Sequence, residues 1–137
     1  MIETNIKNFG SIFLEMRNRK GLTQTEVADI VSVETSLISY YEKNKRVPPL
    51  EKFIKMCDFY GITDHIPLFI KVSNDMEKRF VIMKDGYYFA DDANGYVKSL
   101  FDNRLGLFDE TSCKKFVAND NKTKFYDIFD VIGETNA

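Results

Sequence analysis

The chain has 137 residues, of which 44% are hydrophobic, and its formal net charge at pH 7 is −2. No apolar run approaches the roughly 18 residues of a membrane span, and the N-terminus lacks the basic and apolar regions of a signal peptide, so we expect a cytoplasmic protein. Cys57 and Cys113 are far apart, and the chain has a single histidine, His65. This argues against a zinc site and a disulfide framework, and we predict no metal and no cofactor.

The net charge alone does not indicate a nucleic-acid-binding protein, but the positions of the basic residues are informative. They form two clusters, Arg17-Arg19-Lys20 and Lys43-Lys45-Arg46. A domain that is neutral overall can still dock on phosphates through local clusters of this kind.

The first predicted helix covers residues 9–20. Gly21 follows it and suits the left-handed conformation that ends many helices. Ile12 and Leu14 break its amphipathic pattern, because they lie on a side where polar residues are expected. Either they are exposed to solvent or they meet another part of the molecule. We favour the second interpretation, because two bulky apolar side chains on one short helix are costly to leave exposed.

Two short helices are then predicted around a tight turn, within the segment "GLTQTEVADIVSVETSLISYYEKNKRVPP". Thr23 is the natural N-cap of the first, at residues 24–31, because its hydroxyl can accept from a free N–H group of the first turn. The turn covers residues 32–34, and the second helix runs over residues 35–43. A further helix is predicted at residues 50–60 after two prolines.

These residues resemble the helix-turn-helix of the phage-repressor family, also called the XRE or Cro/repressor type. The resemblance extends from residue 9 to residue 62. The matching positions are Leu22-Thr23-Gln24, Val27-Ala28, Ile38-Ser39, Glu42, Arg46 and Pro48. It implies an N-terminal five-helix bundle whose third helix enters the major groove of DNA and contacts base edges.

The resemblance also implies which residues contact DNA. The candidates that face the bases are Thr35, Ser36, Ser39 and Tyr40. Gln24 corresponds to a residue that clamps a phosphate, where its side-chain amide and the helix N–H groups suit an anion. The loop expected along the DNA backbone comprises Lys43, Asn44, Lys45 and Arg46. A structural ion pair between Arg17 and Glu42 is expected to join the first helix to the third.

Two residues depart from the family pattern. Ser32 occupies a position where relatives often have glycine, which adopts positive φ at less cost. Glu34 occupies a position where relatives usually have a serine or threonine N-cap, and it brings a negative charge close to the groove. Glu34 either accepts from a cytosine amino group or weakens binding. If Thr35 were the cap instead, the base-contacting positions would move by one residue.

The second half has a different pattern. Pro67 is expected to stop helix continuation, and residues 68–72 are expected to start a strand or to cover the bundle. Asp85-Gly86 between two apolar-aromatic runs is a strong hairpin signal. Residues 93–105 are predicted as one short helix. The segments "GLFDE", "CKKFVAND" and "KFYDIFDVIG" are predicted as strands.

The predicted fold class is therefore α+β, a repressor-like helical bundle followed by a small domain with an antiparallel sheet. We predict a helix-turn-helix DNA-binding domain at residues 1–66 and an α+β domain for dimerisation or partner binding at residues 67–137. No catalytic motif is present in the second part, and we predict that the chain is not an enzyme. Its many aromatic side chains either pair two copies of the chain or fill its own core.

The predicted function is that of a sequence-specific DNA-binding transcriptional regulator. The most specific form is a homodimeric repressor of the phage or mobile-element type, bound to a palindromic operator in double-stranded DNA. The alternative is an antitoxin or phage-borne inhibitor, whose C-terminal domain binds a protein target while the helix-turn-helix regulates its own gene. Both classes use this helix-turn-helix, so residues 9–62 do not distinguish them.

Overall fold

In a computed structural model, which describes residues 8–135, the chain forms two units that divide between Asn74 and Asp75. The first unit contains helices α1 (Gly10–Lys20), α2 (Gln24–Val31), α3 (Thr35–Glu42), α4 (Leu50–Tyr60) and α5 (Ile66–Asn74), with a 3-10 helix at Thr63–His65. The second contains β1 (Phe80–Lys84), β2 (Tyr87–Asp91), β3 (Gly95–Val97), α6 (Glu110–Asn119), β4 (Lys124–Asp127) and α7 (Ile128–Thr135).

The core of the first unit is largely aromatic. The ring of Phe9 meets the rings of Phe13 and Phe53 edge-on, each at a centroid distance of 5.2 Å. All three side chains are buried. Edge-to-face contacts of this type add stability beyond the area that they bury. These contacts join the start of α1 to α4.

The two apolar residues that break the pattern of α1 differ in the structure. Ile12 is fully buried, whereas Leu14 is 38% exposed. The expectation that both would be covered is therefore correct for Ile12 and wrong for Leu14.

The described chain has seven α-helices rather than the five of the predicted bundle. Five precede residue 75, and two lie in the second unit, where strands were predicted. The expectation that Pro67 prevents a helix is wrong, because α5 begins at Ile66 and Pro67 lies in its first turn. Proline is tolerated there, since its missing N–H would have no partner within the helix. The buried side chains of Leu68, Phe69 and Val72 then follow helical spacing.

The second unit is built on an antiparallel four-stranded sheet with the strand order β3-β2-β1-β4. The hairpin at Asp85-Gly86 is confirmed, and both turn residues have positive φ. The short helix predicted at residues 93–105 is wrong. That segment contains β3 and turns, because Tyr96 and Val97 pair with β2.

Two of the predicted strands are mostly or partly helical in the structure. Residues 113–120 lie mostly within α6, which begins after Asp109, whose carboxylate accepts from the Ser112 N–H. Residues 124–133 begin as β4 but turn into α7 at Ile128. The segment "GLFDE" contributes only an isolated bridge, between Phe108 and Phe80.

One face of the sheet forms a core cluster with α6. Ile82 of β1 and Phe89 of β2 are buried with Cys113 of α6, and further aromatic side chains pack around them. The face that carries Met83 and Tyr88 is the opposite one, because successive side chains of a strand alternate between faces. No helix among residues 8–135 is long and apolar enough to cross a membrane.

Candidate nucleic-acid interface

Local hydrogen bonds define the start of α2. Thr23 and Glu26 form a capping box: the Thr23 hydroxyl accepts from the Glu26 N–H at 3.1 Å, and the Glu26 carboxylate accepts from the Thr23 N–H at 3.0 Å. These hydrogen bonds to Thr23 hold the pKa of Glu26 below its usual value. The predicted N-cap is therefore confirmed, and α2 has a defined start.

Ser32 ends α2 in the left-handed conformation, with φ 60° and ψ 51°. The positive φ expected at this position is therefore present, and a non-glycine residue adopts it at some cost. The side chain of Lys52 donates to the carbonyl oxygens of Val31 and Ser32, at 3.3 and 3.4 Å. A cation at this point satisfies the free carbonyl groups at the end of a helix. This role was not predicted from the sequence, because residues 31 and 52 are too far apart along the chain for a local pattern to connect them.

Glu34 is the N-cap of α3, and its side chain makes no capping hydrogen bond. Thr35 is the first helical residue, so the alternative in which Thr35 caps the helix is wrong. The positions expected to contact bases therefore keep the numbering inferred from the resemblance.

The four residues expected to face the bases share one side of α3. Thr35 and Ser36 are exposed, Ser39 is partly exposed, and Tyr40 is 41% exposed. Successive residues in this set are one, three and one positions apart along the chain. Since each position turns the helix by 100°, all four lie within one arc of it. The opposite side carries the buried residues Ile38 and Tyr41. The exposed side therefore presents hydroxyl groups and one aromatic ring.

The basic loop after α3 is held against the end of that helix. The carbonyl oxygen of Tyr40 accepts from the backbone N–H groups of Lys45 and Arg46, at 2.9 and 3.4 Å. The Arg46 guanidinium also lies over the Tyr40 ring, 5.2 Å from its centroid. Such a cation–π contact restrains both side chains. Lys43 and Lys45 are exposed beside them, so that three cations border the exposed side of α3.

Asn44, another loop candidate, has a structural contact. Its side-chain oxygen accepts from the backbone N–H of Gly10 at 2.8 Å. Phe9, the N-cap of α1, makes no side-chain capping bond, so Asn44 supplies the acceptor from a distant part of the chain. Asn44 has a positive φ of 58°, a conformation that asparagine adopts more readily than most residues.

Gln24 lies at the start of α2 next to the predicted ion pair. Arg17 binds Glu42 through two contacts, Nε to Oε2 at 2.6 Å and Nη2 to Oε1 at 3.0 Å. The Gln24 amide donates to the same Glu42 oxygen, Oε1, at 3.1 Å. The predicted pair is therefore present and nearly buried, with only 2% of the Glu42 side chain exposed. The hydrogen bond to Glu42 raises the pKa of Arg17.

Two further observations concern a buried hydroxyl near the ion pair and possible metal ligands. The hydroxyl of Tyr60 is buried without a hydrogen-bond partner among the described residues, and burial raises the pKa of Tyr60. No group of three or more histidine, cysteine, aspartate or glutamate side chains between residues 8 and 135 is arranged to hold a metal ion.

Comparison with known proteins identifies this segment. No curated protein and no solved structure matches the chain. A family model described as helix-turn-helix matches residues 14–65, which include α2, the turn and α3 and end before the second unit. Residues 14–65 are therefore a helix-turn-helix domain of the XRE type.

Proposed function

We propose that this chain is a sequence-specific DNA-binding transcriptional regulator that acts as a dimeric repressor on a palindromic operator. The observation that carries the proposal is the exposed side of α3, which presents hydroxyl groups and the Tyr40 ring beside the basic loop. The helix-turn-helix family supports a DNA-binding regulator of the XRE type. The repressor role and the dimer go beyond that support.

The residues divide into two groups by their chemistry. Thr35, Ser36 and Ser39 have short side chains that donate and accept hydrogen bonds, as contacts to base edges in the major groove require. Lys43, Lys45 and Arg46 are cations for phosphate oxygens, which position a protein on the duplex without identifying its sequence. Arg46 stacks on Tyr40 and so connects the base-facing side of α3 to the loop. It therefore belongs to both groups.

Gln24 and Asn44 belong to the proposed interface with an additional structural role. Each side-chain amide already makes one hydrogen bond, to Glu42 and to Gly10 respectively. A primary amide has two donors and an oxygen with two lone pairs, so one internal bond leaves capacity for a phosphate. The internal bonds hold the amides in place before DNA arrives.

The proposed dimer follows from the size of the recognition surface. One short helix contacts few base pairs, and regulators of this architecture reach specificity by binding two half-sites about 34 Å apart. We assign DNA binding to the helical unit and pairing of two copies to the unit that begins at Asp75.

Selection of bound DNA from a random pool with the full chain tests the proposal. We expect an enriched motif with two-fold symmetry, and fluorescence anisotropy should show that the motif binds at least about a thousandfold tighter than scrambled DNA. A pool with no enriched motif contradicts sequence-specific binding. An enriched but asymmetric motif contradicts the palindromic operator alone.

A second candidate function assigns the C-terminal unit to a protein target, as in an antitoxin or an inhibitor. The observation that favours it is that this unit has its own sheet and core and lies beyond the residues that match the family model. Tagged full-length chain should then retain one host protein from a lysate, and substitutions in α3 should not affect this binding. If only a second copy of the chain is retained, the dimeric regulator is favoured.

A further inference from the structure

The C-terminal unit contains a cavity of about 500 Å³ on the side of its sheet that faces away from α6. This volume lies within the range of pockets that bind small molecules. All of its lining residues lie between residues 83 and 131. The cavity is therefore formed by one unit and is separate from the helix-turn-helix.

The register of the sheet gives the arrangement of its central side chains. Met83 of β1 is paired with Tyr88 of β2 on one side and with Lys124 of β4 on the other. Tyr126 lies two residues beyond Lys124, so it faces the same side of the sheet. Met83 thus forms the floor between two tyrosines, one on each neighbouring strand.

Tyr88 and Tyr126 lie on opposite sides of Met83 in the sheet. Two strand spacings and two residues along a strand place the backbones of Tyr88 and Tyr126 about 12 Å apart. The cavity volume of about 500 Å³ leaves room for one planar ring beside these side chains. Tyr126 is 41% exposed and Tyr88 is half-buried, so both rings retain surface for a ligand.

Charged groups of both signs surround this aromatic pair. The charged residues that line the cavity are Lys84, Asp85, Lys122, Lys124 and Asp130. Lys84 is bound to Asp120 at 3.0 Å, which leaves Lys122 and Lys124 as the cations best placed for a ligand anion. Asp85 and Asp130 supply carboxylates that accept hydrogen bonds.

We propose that this cavity binds a small ligand with one planar ring, an anionic group and a hydrogen-bond donor. The ring stacks between Tyr88 and Tyr126 over Met83, the anionic group meets Lys122 and Lys124, and the donor meets Asp85 or Asp130. Nucleoside monophosphates and aromatic amino acids both have this chemistry. The site does not depend on the proposed DNA binding.

Isothermal titration calorimetry of the full chain with adenosine 5′-monophosphate and with L-tryptophan tests the proposal. If only one of the two binds, the result shows whether the cavity takes a nucleoside monophosphate or an aromatic amino acid. Tyr126→Ala should weaken that binding about tenfold or more, because stacking on an aromatic side chain contributes substantially to affinity. Lys124→Gln should weaken it as well, and adenosine or indole, which lack the anionic group, should bind less well.

Matched controls lie in the same unit. Tyr87 is 40% exposed but lies one residue along β2, on the other side of the sheet. Tyr87→Ala and Lys98→Gln should therefore leave the affinity unchanged. The melting temperature of each variant is measured so that a loss of binding is separated from a loss of folding. The proposal is overturned if neither ligand binds at millimolar concentration, or if Tyr87→Ala and Tyr126→Ala weaken binding equally.

Discussion

The side chain of Asn44 caps the first turn of α1 by accepting from the N–H of Gly10 at 2.8 Å. Gly10 is suited to this contact, because a Cβ atom there would collide with the carbonyl oxygen of Tyr41 and lie 2.8 Å from that of Glu42. The end of α3 and the start of α1 are thus in direct contact. The loop that carries the proposed phosphate contacts is anchored to the fold at this point.

Gly10→Ala should therefore destabilise the first unit. The added methyl group meets backbone carbonyl oxygens, which cannot move without shifting α3, and such overpacking typically costs about 1–3 kcal/mol. The free energy of unfolding from urea denaturation measures the effect. Ser11→Ala, at the next position, is the control and should change stability by less than about 0.5 kcal/mol. Equal stabilities for the two variants would contradict the close approach.

Asn44→Ala should destabilise the chain by about 1 kcal/mol, since it removes the acceptor for an N–H group at the start of a helix. Asn44→Asp retains an acceptor and should preserve most of this stability, although its negative charge should weaken DNA binding. Urea denaturation and DNA anisotropy on both variants separate the structural role from the proposed phosphate contact.

The ion pair between Arg17 and Glu42 predicts a larger effect. Arg17→Ala or Glu42→Ala should destabilise the fold by about 3–5 kcal/mol, because the remaining charge stays buried without its partner. DNA binding should be lost through unfolding. Thermal melting followed by circular dichroism measures the change.

Arg19→Ala provides the matched control on the same helix. Arg19 is 3.9 Å from Glu15 in a more exposed pair, and exposed pairs contribute about 0–1 kcal/mol. If an Arg17 or Glu42 variant kept the melting temperature of the unmodified chain but lost DNA binding, the pair would have a functional role instead.

The parts of the fold that the sequence predicted correctly depend on local chemistry. The Thr23 cap, the end of α1 at Gly21 and the hairpin at Asp85-Gly86 each follow from residues next to one another in the chain. The exposed side of α3 followed from a resemblance over many spaced positions. Local signals and a family pattern were sufficient for the helix-turn-helix.

The errors have identifiable physical causes. Pro67 was treated as a helix stop, although proline is compatible with the first turn of a helix. Residues 113–120 were predicted as a strand, although Cys113, Phe116 and Val117 have helical spacing and Asp109 is a good N-cap. The Gly10–Asn44 and Lys52–Val31 contacts join distant segments. No local pattern in a single sequence predicts such contacts.

Both cysteines should be unreactive in the folded chain. Burial raises the pKa of Cys57 to about 12 and that of Cys113 to about 11. Since the thiolate is the reactive form, a raised pKa lowers the reactive fraction at pH 8, and burial also blocks access. A chromogenic disulfide reagent should therefore react slowly with the native chain and rapidly with two thiols after denaturation.

Thr111→Cys gives a positive control for that measurement, because residue 111 is exposed on α6. In the native state of this variant, one thiol per chain should react rapidly with the reagent. Rapid reaction of the unmodified native chain would show that Cys57 or Cys113 is accessible.

The proposed DNA interface predicts a strong dependence on salt. Gln24 and the loop residues 43–46 are expected to supply about four phosphate contacts per copy, and the three cations among them, Lys43, Lys45 and Arg46, should give a dimer a log–log salt slope of roughly −5. Lys45→Ala should weaken binding to all sequences alike and reduce the slope, whereas Ser36→Ala should change the base preference at one position of each half-site. Anisotropy at several salt concentrations measures both effects.

Lys55→Ala is the control for the charge change, because Lys55 is exposed on α4 and is not part of the proposed interface. It should leave the salt slope almost unchanged. A flat salt dependence of the unmodified chain would count against the loop as a phosphate-binding element.

The last prediction concerns the dimer, which we assign to the C-terminal unit. Its sheet ends at β3 and β4, and the edge of a sheet can pair with another chain. Exposed aromatic side chains such as Tyr87 and Phe101 add apolar surface. The full chain should therefore be a dimer at micromolar concentration, and light scattering measures its mass.

The matching fragment should contain residues 1–74, because a fragment ending at residue 66 would lose α5 and the buried Phe69. We expect this fragment to be a folded monomer that binds DNA weakly, since it retains one helix-turn-helix and loses the pairing unit. A dimeric fragment would move the interface to the helical unit. A monomeric full chain would remove the basis for a palindromic operator and favour a C-terminal unit that binds a different protein.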